Sequence, residues 1–217
     1  MKISVSTNPP NQCDLLNYVS QVKDLDVDFV HCDIMDGKFV AQQTFNHKML
    51  KAISKTSFMP LDVHLMVEKP WKVFKKYAKN GTVILTVHFE AFENKKLLLK
   101  TLVGIKKRGV FAGLAFNPST PVKDVLPFVC YADVLLVMSV EPGKSGQLFD
   151  ENTYSRLDEL NNFLKEDALD VFVEVDGGVN DTISQTLATK GVQMVVLGSY
   201  LFSSQNRKMA VEPIKLL

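Results

Sequence analysis

Short apolar runs alternate with longer amphipathic stretches along the chain, and the alternation occurs eight times. The runs are residues 2–6, 28–34, 61–66, 83–89, 111–116, 134–140, 171–175 and 194–197. They are rich in Val, Ile, Leu and Phe, and most end in polar residues or glycine. Nearly continuous apolar runs of this length suit strands covered on both faces, as in parallel sheets.

The stretches between them carry helical periodicity. Residues 11–24 place Leu15, Leu16, Val19 and Val22 on one stripe. Residues 70–78 open with Pro70 and carry Val73, Phe74 and Tyr77. Residues 94–108 carry Leu97, Leu98, Leu102 and Ile105, with Gly109 as their stop. Residues 150–165 and 181–190 follow the same pattern, the second closed by Gly191. Alternating strands and helices select the α/β class. Spread over 217 residues, eight units leave about 27 residues each, enough for a strand and a helix. The expectation is one catalytic domain over residues 1–217, a (β/α)8 TIM barrel. An open flavodoxin-like sheet of five or six strands competes, but it leaves two or three runs unexplained.

Composition excludes several functions. Lys and Arg total 25 against 24 for Asp and Glu, so the basic excess of a nucleic-acid binder is missing. No apolar run reaches the roughly 18 residues of a membrane span. The first apolar run meets Thr7 and Asn8 too soon for a signal peptide. Cys13, Cys32 and Cys130 are odd in number and form no CxxC pair. They fit a reducing, cytoplasmic setting better than disulfides or structural zinc.

In such a barrel, chemistry gathers at the C-terminal strand ends. Here those ends are polar: His31-Cys32-Asp33-Ile34-Met35-Asp36-Gly37, Asp62-Val63-His64-Leu65-Met66, His88-Phe89-Glu90 and Glu174-Val175-Asp176-Gly177-Gly178. Residues two apart share a strand face, so His31, Asp33 and Met35 point together, as do Asp62, His64 and Met66. Three of the four histidines sit at strand ends, and His47 lies in a helix-like segment. A lone strand histidine is usually a hydrogen-bonded core residue. Four ionisable groups at one barrel mouth are different, because burying two carboxylates without a cation is costly. His31, Asp33, His64 and Asp176 form a two-nitrogen, two-oxygen set suited to Zn²⁺, Fe²⁺ or Mn²⁺.

Glycines make a second constellation. Gly143 and Gly146 follow the sixth run, Gly177 and Gly178 the seventh, and Gly198-Ser199 the eighth. Phosphate sites in these barrels are commonly built from the loops after strands seven and eight, where glycine lets backbone N–H groups approach the anion. Met35, Met66 and Met138 also lie near strand ends, and parity puts the first two beside the ionisable set.

These motifs resemble the ribulose-phosphate 3-epimerase family, which includes hexulose-phosphate 3-epimerases. The resemblance rests on residues 3–6, 31–40, 62–67, 86–91, 117–121, 137–143, 146–147, 174–180 and 198–199, in family order. It implies one divalent ion, Zn, Fe(II), Mn or Co, bound by His31, Asp33, His64 and Asp176. Asp33 and Asp176 are then also the acid/base pair. Ser6 lies at the site floor, Met35, Met66 and Met138 line it, and His64 also faces the substrate. Gly143, Lys144, Ser145, Gly146, Gly177, Gly178, Gly198 and Ser199 hold the phosphate. The resemblance further implies a homo-oligomer, dimer or hexamer.

The chain departs from the family pattern in places. Val5 and residues 7–10 replace the usual proline-containing stretch after the first strand. Ala41-Gln42 stand for Pro-Asn, and Lys144 stands for an aromatic. No expected metal ligand is lost. The changes bear on the sugar recognised more than on the chemistry.

The expected reaction is C3 epimerisation of a ketose phosphate, D-ribulose 5-phosphate to D-xylulose 5-phosphate, by two carboxylates acting through an enediolate. A hexulose 6-phosphate such as D-allulose 6-phosphate is the alternative substrate. Other phosphosugar barrels, decarboxylase or aldose–ketose isomerase, share the glycine loops but do not need two His and two Asp together. A non-catalytic phosphosugar-binding barrel has no need of both Asp33 and Asp176. Neither nucleic acid nor membrane is an expected partner.

Overall fold

The computed structural model describes residues 1–8 and 14–217. The chain runs β1 (Lys2–Ser6), α1 (Leu15–Val22), β2 (Phe29–Met35), α2 (His47–Ser57), β3 (Leu61–Met66), α3 (Pro70–Tyr77) and β4 (Thr82–His88). It continues α4 (Lys95–Lys106), β5 (Phe111–Phe116), α5 (Val122–Val125), β6 (Val134–Met138), α6 (Asn152–Glu166), β7 (Phe172–Asp176), α7 (Asp181–Thr189) and β8 (Met194–Leu197). Two helices close it, α8 (Ser199–Ser203) and α9 (Arg207–Lys215). The strands form a closed barrel in sequence order, every neighbouring pair parallel. The (β/α)8 TIM barrel is therefore the fold, and the open sheet is excluded.

The strands alternate in a way that the apolar runs conceal. Ile3, Val5, Val30, Cys32, Ile34, Leu61, Val63 and Leu65 belong to the large core shared with the helices. Between them stand Ser4, Ser6, His31, Asp33, Asp62 and His64, all buried. On β1 to β3, apolar side chains thus face the helices and polar ones face the barrel interior. TIM-barrel interiors are usually filled by Val, Ile and Leu. Here Ile84, Val134 and Met194 fill one end with Phe29, Val83 and Phe172, and Ala115, Leu136 and Met138 form a second apolar cluster on β5 and β6.

Strand register positions the site. It pairs Asp33 with His64, Met35 with Met66, and Met138 with Asp176. Register partners on adjacent parallel strands point the same way, so each pair stands side by side.

Several boundaries differ from the sequence expectations. The sixth strand ends at Met138 rather than at residue 140, because Ser139 turns its N–H and hydroxyl onto the Asp176 carbonyl. The seventh gains Asp176, whose polarity hid a residue still in the ladder. The helix expected over 11–24 is described from Leu15 to Val22; residues 9–13, with Cys13, lie outside the described residues. The unit after β5 carries only the short α5 and a 3-10 turn over Leu126–Tyr131. Among the described residues no helix is long and apolar enough to cross a membrane.

Candidate functional site

Asp33 and His31 project into the barrel from β2, His64 from β3 and Asp176 from the end of β7. Donor atoms of the four lie within 4.8 Å of one another. His31 Nε2 is 3.4 Å from Asp33 Oδ1 and 4.0 Å from Asp176 Oδ2. His64 Nδ1 is 3.4 Å from Asp33 Oδ1. Atoms bound to one ion at ~2.1 Å stand roughly 3–4 Å apart, and these spacings match. Among the described residues His31 Nε2 and His64 Nδ1 are buried and have no hydrogen-bond partner, although buried ring nitrogens normally have one. Both orphaned nitrogens belong to this cluster. The residues therefore fit a single divalent cation, which would replace the missing partners.

The surroundings favour positive charge there. Burial opposes protonation of His31, but Asp62 and Asp33 overcome it and hold the ring well above its ordinary range. Burial also pushes Asp33 upward, yet His31 and His64 outweigh it and hold its carboxyl well below the usual range. Asp176 goes the other way. Burial raises it to about 7, opposed by His31 and assisted by Asp33 and Asp62. The two carboxylates thus have opposite proton affinities within one cluster.

Supporting residues orient the cluster. Ser6 Oγ donates to Asp33 Oδ2 at 2.8 Å. His31 Nδ1 lies 2.5 Å from Asp62 Oδ2, which also accepts from Ser4 Oγ at 2.9 Å. Beneath them Glu174 is fully buried. Burial and the Asp62 charge push it well above the carboxylate range. On the other side His64 Nε2 meets His88 Nε2 at 2.7 Å, and His88 Nδ1 is 3.2 Å from Glu90 Oε2. Burial raises Glu90, but hydrogen bonds from His88, Thr120 and Asn117 bring it down to about 2. Sequence reasoning gave Asp62, Glu174, His88 and Glu90 no role. The i, i+2 spacings 62/64, 88/90 and 174/176 were visible; the partners across strands were not.

Above the cluster lies a cleft of ≈ 550 Å³, open space included. Ser6, Asp33, Asp176, Met35, Met66 and Met138 form its inner part. Gly143, Lys144, Ser145, Gly146, Gly177, Gly178, Gly198 and Ser199 form its outer rim. His31 and His64 do not line it; they lie beneath. The 141–147 loop is closed by the Gln147 amide, which donates to the carbonyls of Glu141 at 2.7 Å and Lys144 at 2.9 Å. Gly178 has φ +61, and a Cβ there would lie 2.3 Å from the Phe149 nitrogen. Asp36, part of the same motif as Asp33, instead staples loops, accepting from Lys38 and Phe39 and from the Glu68 N–H.

Residues 2–202 match the model of the ribulose-phosphate 3 epimerase family. The ribulose-phosphate 3-epimerase of Bacillus subtilis (strain 168) is 34% identical over 216 residues, 99% of this chain and 98% of its own. The chloroplastic ribulose-5-phosphate-3-epimerase of Arabidopsis thaliana is 32% identical over 213 residues, 98% of this chain and 75% of its own. Among solved structures, the 3-hexulose-6-phosphate synthase of Salmonella typhimurium superposes with a TM-score of 0.71 at 16% identity, covering 100% of this chain and 97% of that one. At that identity the likeness concerns the fold alone.

Proposed function

Because the chain belongs to the ribulose-phosphate 3-epimerase family, we propose that it epimerises C3 of a ketose phosphate, interconverting D-ribulose 5-phosphate and D-xylulose 5-phosphate. The observation that carries the reading is the pair Asp33 and Asp176, which reach one cleft from β2 and β7.

Inversion next to a ketone needs a base on one face of the carbon and an acid on the other. One of Asp33 and Asp176 takes the C3 proton as carboxylate, and the other, protonated, delivers one to the opposite face. The roles exchange in the reverse direction. Ser6 fixes the Asp33 carboxylate through its hydrogen bond. Met35, Met66 and Met138 give the reacting carbon an apolar, water-poor wall. Backbone N–H groups of the 143–146, 177–178 and 198–199 segments receive the phosphate, with the Lys144 ammonium beside them. His31, Asp33, His64 and Asp176 would hold a divalent ion, which would supply Lewis-acid stabilisation of the enediolate, worth several kcal/mol. Zn, Fe(II), Mn and Co all suit this donor set.

A hexulose 6-phosphate is the second reading, suggested by the departures at Ala41-Gln42 and Lys144, which line a neighbouring cavity that shares residues 141–144 with the cleft. A non-catalytic phosphosugar binder would not require both carboxylates. The chain is read as cytoplasmic and as a homo-oligomer, dimer or hexamer. The test is a panel of ketose phosphates assayed for C3 epimerisation with metal-loaded protein. Fastest turnover of the pentulose supports the first reading, and fastest turnover of a hexulose 6-phosphate replaces it with the second. No epimerisation of any member overturns both.

A further inference from the structure

His64 and His88 meet through their Nε2 atoms at 2.7 Å. Two bare nitrogens would repel and two protonated ones would clash, so one ring donates and the other accepts. The groups at the far ends decide which. His64 Nδ1 is buried without a partner, 3.4 Å from Asp33 Oδ1. His88 Nδ1 is 3.2 Å from Glu90 Oε2. The other Glu90 oxygen already accepts from the Asn117 N–H and from the Thr120 hydroxyl. An ionised carboxylate only accepts, so His88 carries its proton on Nδ1. Its bare Nε2 then accepts from His64 Nε2–H. His64 is left with a lone pair on Nδ1, aimed into the four-residue cluster.

We propose that Glu90 is a positioning residue: acting through His88, it fixes His64 in the tautomer whose Nδ1 is free to bind metal. This rests on the reading of His64 as a metal ligand. The relay links the cation site on β3 to the segment after β5, and the Phe39 ring, 4.9 Å from that of His88, covers it from the β2 loop. Outer partners of this kind orient the ligand and set its protonation.

The change Glu90→Gln keeps the shape and reverses the logic. The amide oxygen stays on the Asn117 N–H, which can only donate. The NH₂ group then faces His88 Nδ1 and makes that nitrogen an acceptor. The His88 proton moves to Nε2, His64 Nε2 must accept it, and the His64 proton moves to Nδ1. A metal would then have to displace that proton.

The experiment uses protein labelled with ¹⁵N in its histidines, observed by NMR with and without zinc, and chelator competition for zinc affinity. Wild-type protein is expected to show His88 protonated on Nδ1, with zinc shifting His64 Nδ1. Glu90→Gln is expected to bind zinc about 10- to 100-fold more weakly and, metal-free, to carry the His88 proton on Nε2. A wild-type His88 protonated on Nε2 overturns the proposal, as does unchanged zinc affinity in Glu90→Gln. If zinc leaves both His64 nitrogens unmoved, the ligand reading itself has failed and the relay falls with it. Should the variant not fold, the wild-type spectrum alone decides.

Discussion

The carboxylates of Asp33 and Asp176 flank a single nitrogen, His31 Nε2, at 3.4 and 4.0 Å. They stand on β2 and β7, five apart in sequence and three apart around the barrel. A reacting atom above that nitrogen is therefore approached by carboxylates from different sides.

The cluster predicts metal dependence. Two unpartnered imidazole nitrogens and two carboxylates converge there, so purified protein should hold about one divalent ion per chain. Elemental analysis checks the content. Exhaustive chelation should abolish activity, and Zn²⁺, Fe²⁺, Mn²⁺ or Co²⁺ should restore at least part of it. Full turnover by rigorously metal-free protein contradicts the account.

Lys144 stands on the cleft rim, exposed, in the loop that Gln147 closes. As an ammonium beside a bound phosphate it should behave as an exposed ion pair, worth ~0.5–1 kcal/mol. Lys144→Ala should raise KM about two- to fivefold, leave kcat nearly unchanged, and make KM less sensitive to salt. An unchanged KM shows that the side chain is merely solvated.

Gly178 tests the backbone of the proposed phosphate rim. Its φ of +61 disfavours an L side chain, and an added Cβ meets the Phe149 backbone at 2.3 and 2.8 Å. Gly178→Ala should cost more than about 1 kcal/mol in a denaturant titration, and KM should rise with it. An alanine variant as stable as wild type would mean that the 147–149 backbone gives way freely.

Much of this site was legible before the structure. The eight runs located every strand to within two residues, because apolar side chains on the helix-facing side dominate each run. The four clustered donors could be found from the polar strand ends together with the ligand chemistry of two His and two Asp. What surrounds them could not. His88 contacts His64, and Glu174 contacts Asp62, only through neighbour relations around the barrel that no local pattern encodes. The short α5 and α8 were likewise hidden, since one helical turn carries too little periodicity to read.

Asp28 predicts an acid dependence away from the site. Its carboxylate accepts from the Ile3 N–H at 2.9 Å and Lys215 Nζ at 2.7 Å. Burial raises its pKa, but Lys215, Ile3 and Lys2 outweigh that and lower it. A group with a folded pKa below its unfolded value stabilises above the unfolded value, and that contribution is lost as pH falls through the folded one. Asp28→Asn should therefore lower the Tm at pH 7. The gap from wild type should close as pH drops below the ordinary carboxylate range. A pH-independent gap contradicts this.

The most direct test follows hydrogen at C3. Turnover of the ketose phosphate in deuterated water should place solvent hydrogen at C3 of the product. Asp33→Asn and Asp176→Asn, each saturated with metal, should each lose at least about 10²-fold in epimerisation rate, the lower bound for a general acid or base. Near-normal inversion by either saturated variant, or product formed without solvent hydrogen at C3, would contradict the two-carboxylate account.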